Sequence, residues 1–111
     1  MKQSEPRGLF PGALEMMVLQ TLKRTPLHGY ALVQHIKRSS EDLLQVEEGS
    51  LYPALHRLEK SGHIEAEWQT TGHSRRARVY RLTKSGRARL KAIEKSWATL
   101  SEGVKKVLGW A

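Results

Sequence analysis

The 111-residue sequence contains no cysteine. That excludes disulfides, thiolate metal sites and cysteine nucleophiles together, and it fits a reducing, cytoplasmic compartment. Long apolar runs are also missing. The longest uninterrupted aliphatic run, Met16 to Leu19, is only four residues, far short of the roughly 20 that a membrane span needs. Glu15 interrupts the apolar stretch near the N-terminus and no small-residue cleavage site follows, so no export signal is expected. There is no nucleophile elbow, no phosphate-binding glycine loop, no internal repeat and no low-complexity tract. The histidines offer no metal-ligand spacing. His28 and His35 stand seven apart, and His56, His63 and His73 add no i, i+4 pair. No enzymatic activity, metal or cofactor is expected.

What the chain does carry is positive charge. Nineteen Lys and Arg against eleven Asp and Glu leave a net charge of +8, which favours a polyanionic partner. The imbalance is concentrated. From Trp68 to Ile93 there is no acidic residue, while Arg75, Arg76, Arg78, Arg81, Lys84, Arg87, Arg89 and Lys91 all fall in that stretch. The length suits one domain, near the size at which a single core suffices.

The most informative stretch is Gly49–Gly62, GSLYPALHRLEKSG. Ser50 is an N-cap candidate, and Lys60 followed by Gly62 is a stop signal. Pro53 then falls in the first turn, where its missing N–H costs nothing. Leu51, Leu55 and Leu58 share a stripe about 60° wide on such a helix. Opposite them lie Gly49, Pro53, His56, Arg57 and Lys60, flanked by Ser50 and Tyr52, with no acid on that face. This is the pattern of a DNA recognition helix; the same residues also suit an amphipathic helix whose charges are merely solvated.

The rest of the chain supplies the setting. Met1 to Gly8 reads as a polar arm. Pro11 suits a helix start, Leu14, Met17, Val18 and Leu22 recur at helical spacing, and Lys23, Arg24 and Pro26 close the helix. A second helix is expected from about His28 to Ser39, with Ala31, Leu32, Val33 and Ile36 inward and Tyr30, Gln34, Lys37 and Arg38 outward. Glu41 to Glu48 is a connection in which Leu43, Leu44 and Val46 could form a short extended piece. After Gly62 the period changes. His63 to Gln69 alternates apolar and polar residues as a half-buried strand does, with Trp68 expected in the hairpin core and Glu65 and Glu67 facing out. Thr70 to Arg76 reads as a seven-residue polar loop turning at Gly72, and Arg78 to Leu82 as the return strand. Three helices followed by a hairpin with a basic tip make a winged helix-turn-helix. The fold class is mainly α with a β-hairpin wing.

Thr83 can cap a last helix running to about Leu108, roughly 26 residues and about 39 Å long. Its apolar residues Leu90, Ile93, Trp97, Leu100, Val104 and Val107 are spaced as a heptad seam. The head does not need so long a helix for its own core, so the seam is expected to pair with its copy in a homodimer, the first helix assisting. The competing arrangement folds this helix back on its own domain. Residues 9–82 would then be the DNA-binding head and 83–108 the dimerisation helix, offering two recognition helices to an inverted-repeat duplex.

Taken together, GSLYPALHRLEKSG at Gly49–Gly62, His28-Gly29-Tyr30, and the run Arg78-Val79-Tyr80-Arg81-Leu82-Thr83-Lys84-Ser85-Gly86-Arg87 closely resemble the PadR family of transcriptional regulators. The resemblance spans about residues 9–108, and the chain length is similar to that of the short subgroup with one C-terminal dimerisation helix. It implies operator binding as a homodimer, usually repression, with DNA contacts at Tyr30, Ser50, Tyr52, Pro53 and the wing residues Gly72, His73, Ser74, Arg75 and Arg76. His56, Arg57 and Lys60 come from the helix face instead. The family also implies a small aromatic effector near the dimer interface. Trp97, in mid-seam, could sandwich such a ligand or be plain interface core. Trp110 lies past the seam. The alternative to a DNA-binding repressor is a winged-helix module for protein or RNA.

Overall fold

The computed structural model describes residues 12–72 and 75–110. Along them run α1 (Ala13–Arg24), β1 (Leu27–His28), α2 (Gly29–Ser39), α3 (Glu48–Lys60), β2 (Ile64–Thr71), β3 (Arg75–Leu82) and α4 (Lys84–Leu108). Pro11 and the polar arm before it lie outside the described residues.

The helix ends follow from local chemistry. Lys23 and Arg24 close α1, and Thr25 turns extended ahead of Pro26, as a residue before proline must. His28 caps α2, its Nδ1 accepting from the Ala31 N–H at 3.3 Å. Gly62, at φ 82°, stops α3: its N–H donates to the Glu59 carbonyl and the His63 N–H to the Leu58 carbonyl, the paired bonds of a Schellman motif.

Two expectations in this region are corrected. The helix α3 begins at Glu48, not after a Ser50 cap, because the Glu47 carbonyl already accepts from the N–H groups of Ser50 and Leu51, each at 2.9 Å. Ser50 therefore sits in the first turn and Pro53 in the second, where proline leaves the exposed Gly49 carbonyl without its helical donor. The stretch around Leu43, Leu44 and Val46 is not a strand. Glu41 and Asp42 adopt left-handed φ of 55° and 67°, turning the chain so that Val46 is buried while Leu43 stays exposed.

The sheet has three strands, in the order β1-β3-β2, with both pairings antiparallel. The two-residue β1, which sequence periodicity is too coarse to reveal, pairs Leu27 with Tyr80 and His28 with Val79. The expected seven-residue loop is shorter, because Thr70 pairs with Arg76 and Thr71 with Arg75. β-Branched threonines extend a strand readily.

One sheet face closes the core. Ile64 and Tyr80 join Val18, Leu19 and Leu22 of α1, Leu32 and Ile36 of α2, and Leu51, Leu55 and Leu58 of α3. Further out along that face come Trp68 opposite Arg78 and Thr70 opposite Arg76. Trp68 is 56% exposed, a correction to its expected place in the hairpin core. The alternation identified the right face, but the hairpin outruns the helices that would cover it.

The start of α4 is clamped to the turn after α3. Thr83 Oγ1 donates to the Gly62 carbonyl at 2.7 Å and accepts from the Gly86 N–H at 3.0 Å, and its own N–H donates to the His63 carbonyl at 3.2 Å. His63 Nδ1 and Ser85 Oγ lie 2.8 Å apart. Beyond this clamp α4 packs on α1, tied by Arg89 to Glu15 at 3.2 Å. Leu90 and Ile93 therefore belong to the core of the protomer, so the outward part of the expected seam begins only at the half-buried Trp97. Leu100, Val104 and Val107 are exposed. The architecture is a winged helix-turn-helix carrying a long C-terminal helix.

Candidate nucleic-acid interface

The burial of Leu51, Ala54, Leu55 and Leu58 fixes the rotation of α3 and leaves the opposite face outward. Ser50, Tyr52, Pro53, His56, Arg57 and Lys60 are all exposed on it, as is Tyr30 near the start of α2. The helix periodicity thus locates this face correctly. Two acids that it did not assign to the helix, Glu47 as N-cap and Glu48 in the first turn, stand at its N-terminal end, where the helix dipole favours them.

Tyr52 is held rather than loosely splayed. Its ring lies against the backbone of Gly29, which is buried at the first position of α2. Partial burial raises the Tyr52 pKa above its ordinary value, with Glu48 and then Tyr80 adding to the effect. The hydroxyl is accordingly a protonated group able to donate as well as accept.

The hairpin stands beside this face. His56, Glu59 and Lys60 of α3 line a cleft with Arg78 of β3. Arg78 bridges the cleft, its Nη2 2.7 Å from Glu59 Oε2. This contact braces the wing against α3, and the sequence concealed it because the partners are 19 residues apart. Arg75 and Arg76 are exposed further along β3, and Gly72 turns the tip at φ 48°. His73 and Ser74 lie outside the described residues.

The acid-free stretch is less uniformly basic in space than in sequence. Folding brings Glu59 to Arg78, Glu67 to Arg81 and Glu15 to Arg89, at 2.7, 3.3 and 3.2 Å. Arg76 differs from these three. Its guanidinium carbon lies 4.9 Å from the centroid of the Trp68 ring, and among the described residues it meets no carboxylate. Such a cation remains available to an outside anion.

Among the described residues no cluster of His, Asp or Glu could hold a metal ion, and no helix is long and apolar enough to cross a membrane. The surface offers a hydrogen-bonding helix face with Arg57 and Lys60 on it and Arg75 and Arg76 on the hairpin beside it, which suits recognition of a charged polymer.

Comparisons with known proteins agree. Residues 18–92 match the Transcriptional regulator PadR-like family. A transcriptional regulator of Mycobacterium tuberculosis is 36% identical over 97 residues, covering 87% of this chain and 84% of that protein. A PadR family transcriptional regulator from Eggerthella lenta, of known structure, is 38% identical with a TM-score of 0.77, over 87% of this chain and 82% of the other. A PadR-like transcriptional regulator from Bacillus cereus superposes with a TM-score of 0.73 at 28% identity, over 87% of this chain and 92% of the other.

Proposed function

Because the chain belongs to the PadR-like family of transcriptional regulators, we propose that it is a homodimeric repressor acting in the cytoplasm. It binds inverted-repeat operator DNA through the outer face of α3 and the β2–β3 wing. The observation that carries this reading is the pairing of two surfaces. An exposed helix face bearing Tyr52, His56, Arg57 and Lys60 stands next to a hairpin bearing Arg75 and Arg76, with Arg78 and Glu59 bracing one against the other. A recognition helix of this kind enters the major groove while the wing and Tyr30 approach phosphates. In this assignment Ser50, Tyr52, Pro53, His56 and Arg57 approach base edges. Lys60, Gly72, His73, Ser74, Arg75 and Arg76 approach the backbone.

The dimer is supported by the outer half of α4. Leu100, Val104 and Val107 are 53%, 42% and 86% exposed, yet they continue the spacing of Trp97 as a seam does. A second copy covers such a stripe by two-fold symmetry. The head and the dimerisation helix, 9–82 and 83–108, thus act as two units joined through the shared core at Leu90 and Ile93.

In this proposal a small planar aromatic effector relieves the repression. Its support is a cavity of about 230 Å³ lined by Arg89, Ile93, Ser96, Trp97 and Leu100 among others, on the face where the partner would lie. Footprinting on the region upstream of the protein's own gene tests the proposal. Protection of an inverted repeat is expected, and uniform protection of any duplex would favour an unspecific polyanion-binding module instead.

A further inference from the structure

Trp68 is a large aromatic side chain left outside the core. It is not part of the α4 stripe either, and it stands 56% exposed on the wing. The register explains its surroundings. Trp68 pairs with Arg78 and Thr70 with Arg76, so Trp68 and Arg76 are diagonal neighbours on the sheet face that runs out from Ile64 and Ala66. Diagonal neighbours on one face are within reach of an aromatic ring.

The two arginines on this face meet different partners. Arg78 is bound to Glu59 at 2.7 Å, which neutralises it. Arg76 has its guanidinium carbon 4.9 Å from the Trp68 ring centroid. An aromatic face attracts a guanidinium through its quadrupole without cancelling its charge. It also leaves the N–H donors of the planar fork free for phosphate oxygens. A carboxylate in the same place would compete with the nucleic acid; an indole does not. Holding the long side chain in one region before the duplex arrives also reduces the ordering needed on binding.

We propose that Trp68 is a positioning residue for DNA binding: it holds Arg76 on the wing as a pre-ordered phosphate clamp. The inference rests on the DNA-binding reading above. Because a phosphate contact carries no sequence information, its effect should be alike on operator and random DNA.

The test is a double-mutant cycle on the full-length chain. Binding is measured for wild type, Trp68→Leu, Arg76→Ala and the double variant, by anisotropy over a range of salt. The probes are a duplex from upstream of the gene and a random duplex of equal length. Trp68→Leu is expected to weaken both complexes about threefold, the size of an exposed cation–π contact. Trp68→Phe, which keeps a π face, should retain most of the affinity. Arg76→Ala should flatten the salt slope by about 0.9, one phosphate contact. Once Arg76 is gone, Trp68→Leu should cost nothing more. Equal losses from Trp68→Leu with and without Arg76, or no loss at all, would overturn the clamp while leaving the DNA-binding reading intact. A wild-type chain that binds neither duplex removes that reading, and the clamp with it.

Discussion

The ring of Tyr52 on α3 rests directly on the backbone of Gly29 at the start of α2: a Cβ built on Gly29 would lie 2.6 Å from the Tyr52 hydroxyl oxygen and 2.7 Å from Cε1. The contact needs glycine for closeness and not for an unusual dihedral. It joins the two helices of the helix-turn-helix through a side chain of the exposed face. The substitution Gly29→Ala must therefore push Tyr52 aside. Operator affinity is expected to fall about tenfold, the worth of one good base contact. Thermal or urea unfolding should register a loss of only about 1–2 kcal/mol, since a surface ring can shift. Unchanged base preference in Gly29→Ala would show that Tyr52 is not part of the reading face.

The same ring sets a pH dependence. Partial burial, Glu48 and Tyr80 raise the native pKa of Tyr52 above the value of 10.0 it has when unfolded. The folded state thus holds this proton more tightly. The associated stability is fully present below the ordinary tyrosine range and is lost as pH rises through the native value. Wild type should lose stability more steeply than Tyr52→Phe in that alkaline window, and the two should run parallel at neutral pH. Urea denaturation at stepped pH checks it. Identical alkaline slopes would contradict the assignment.

The clamp between the α3–β2 turn and α4 is expected to govern stability rather than binding. A Cβ on the buried Gly86 would run into the His63 carbonyl, which is backbone and cannot swing away. Gly86→Ala should cost about 2–3 kcal/mol as overpacking. Thr83→Ala loses a cap and a second hydrogen bond together, about 1–2 kcal/mol. Both are read from urea midpoints. A neutral Gly86→Ala would mean that α4 is not held tightly against the His63 carbonyl.

The outer half of α4 can be separated from the head by substitution. Leu100→Asp with Val104→Asp alters two exposed side chains, so the head should keep its melting temperature. Two charges in an apolar seam should nonetheless dissociate the dimer by tenfold or more. Sedimentation velocity checks this. A dimer that survives both substitutions would place the interface elsewhere.

How much of this was legible in the sequence depended on whether a feature is local. Thr83 as the cap of α4, Gly62 as the stop of α3 and the outward face holding Tyr52, His56, Arg57 and Lys60 are set within a turn or two, and capping residues and periodicity marked them. Periodicity assigns a face but not what covers it. Trp68 lies on the expected face yet beyond the helices, and Leu90 and Ile93 continue the stripe of Trp97 yet are covered by the protomer itself. The Ser50 cap failed because the helix starts two residues before it, the Glu47 carbonyl already accepting from the N–H groups of Ser50 and Leu51. Contacts between distant residues left no mark on the sequence. Arg78 with Glu59, Arg76 with Trp68 and Tyr52 with Gly29 appear only once the strands have paired and the helices have packed. Charge composition pointed to a polyanion, and folding then decided which cations remain available to it.

In the proposed mode of binding, two copies of the chain grip one inverted repeat. The most direct test of this mode is competition binding of the full-length protein to the duplex protected upstream of its own gene, with random DNA as competitor and the stoichiometry determined in the same titration. Two protomers per duplex are expected, with a preference of at least about 10³ over random sequence at physiological salt. One protomer per site, or equal affinity for every duplex, would contradict it.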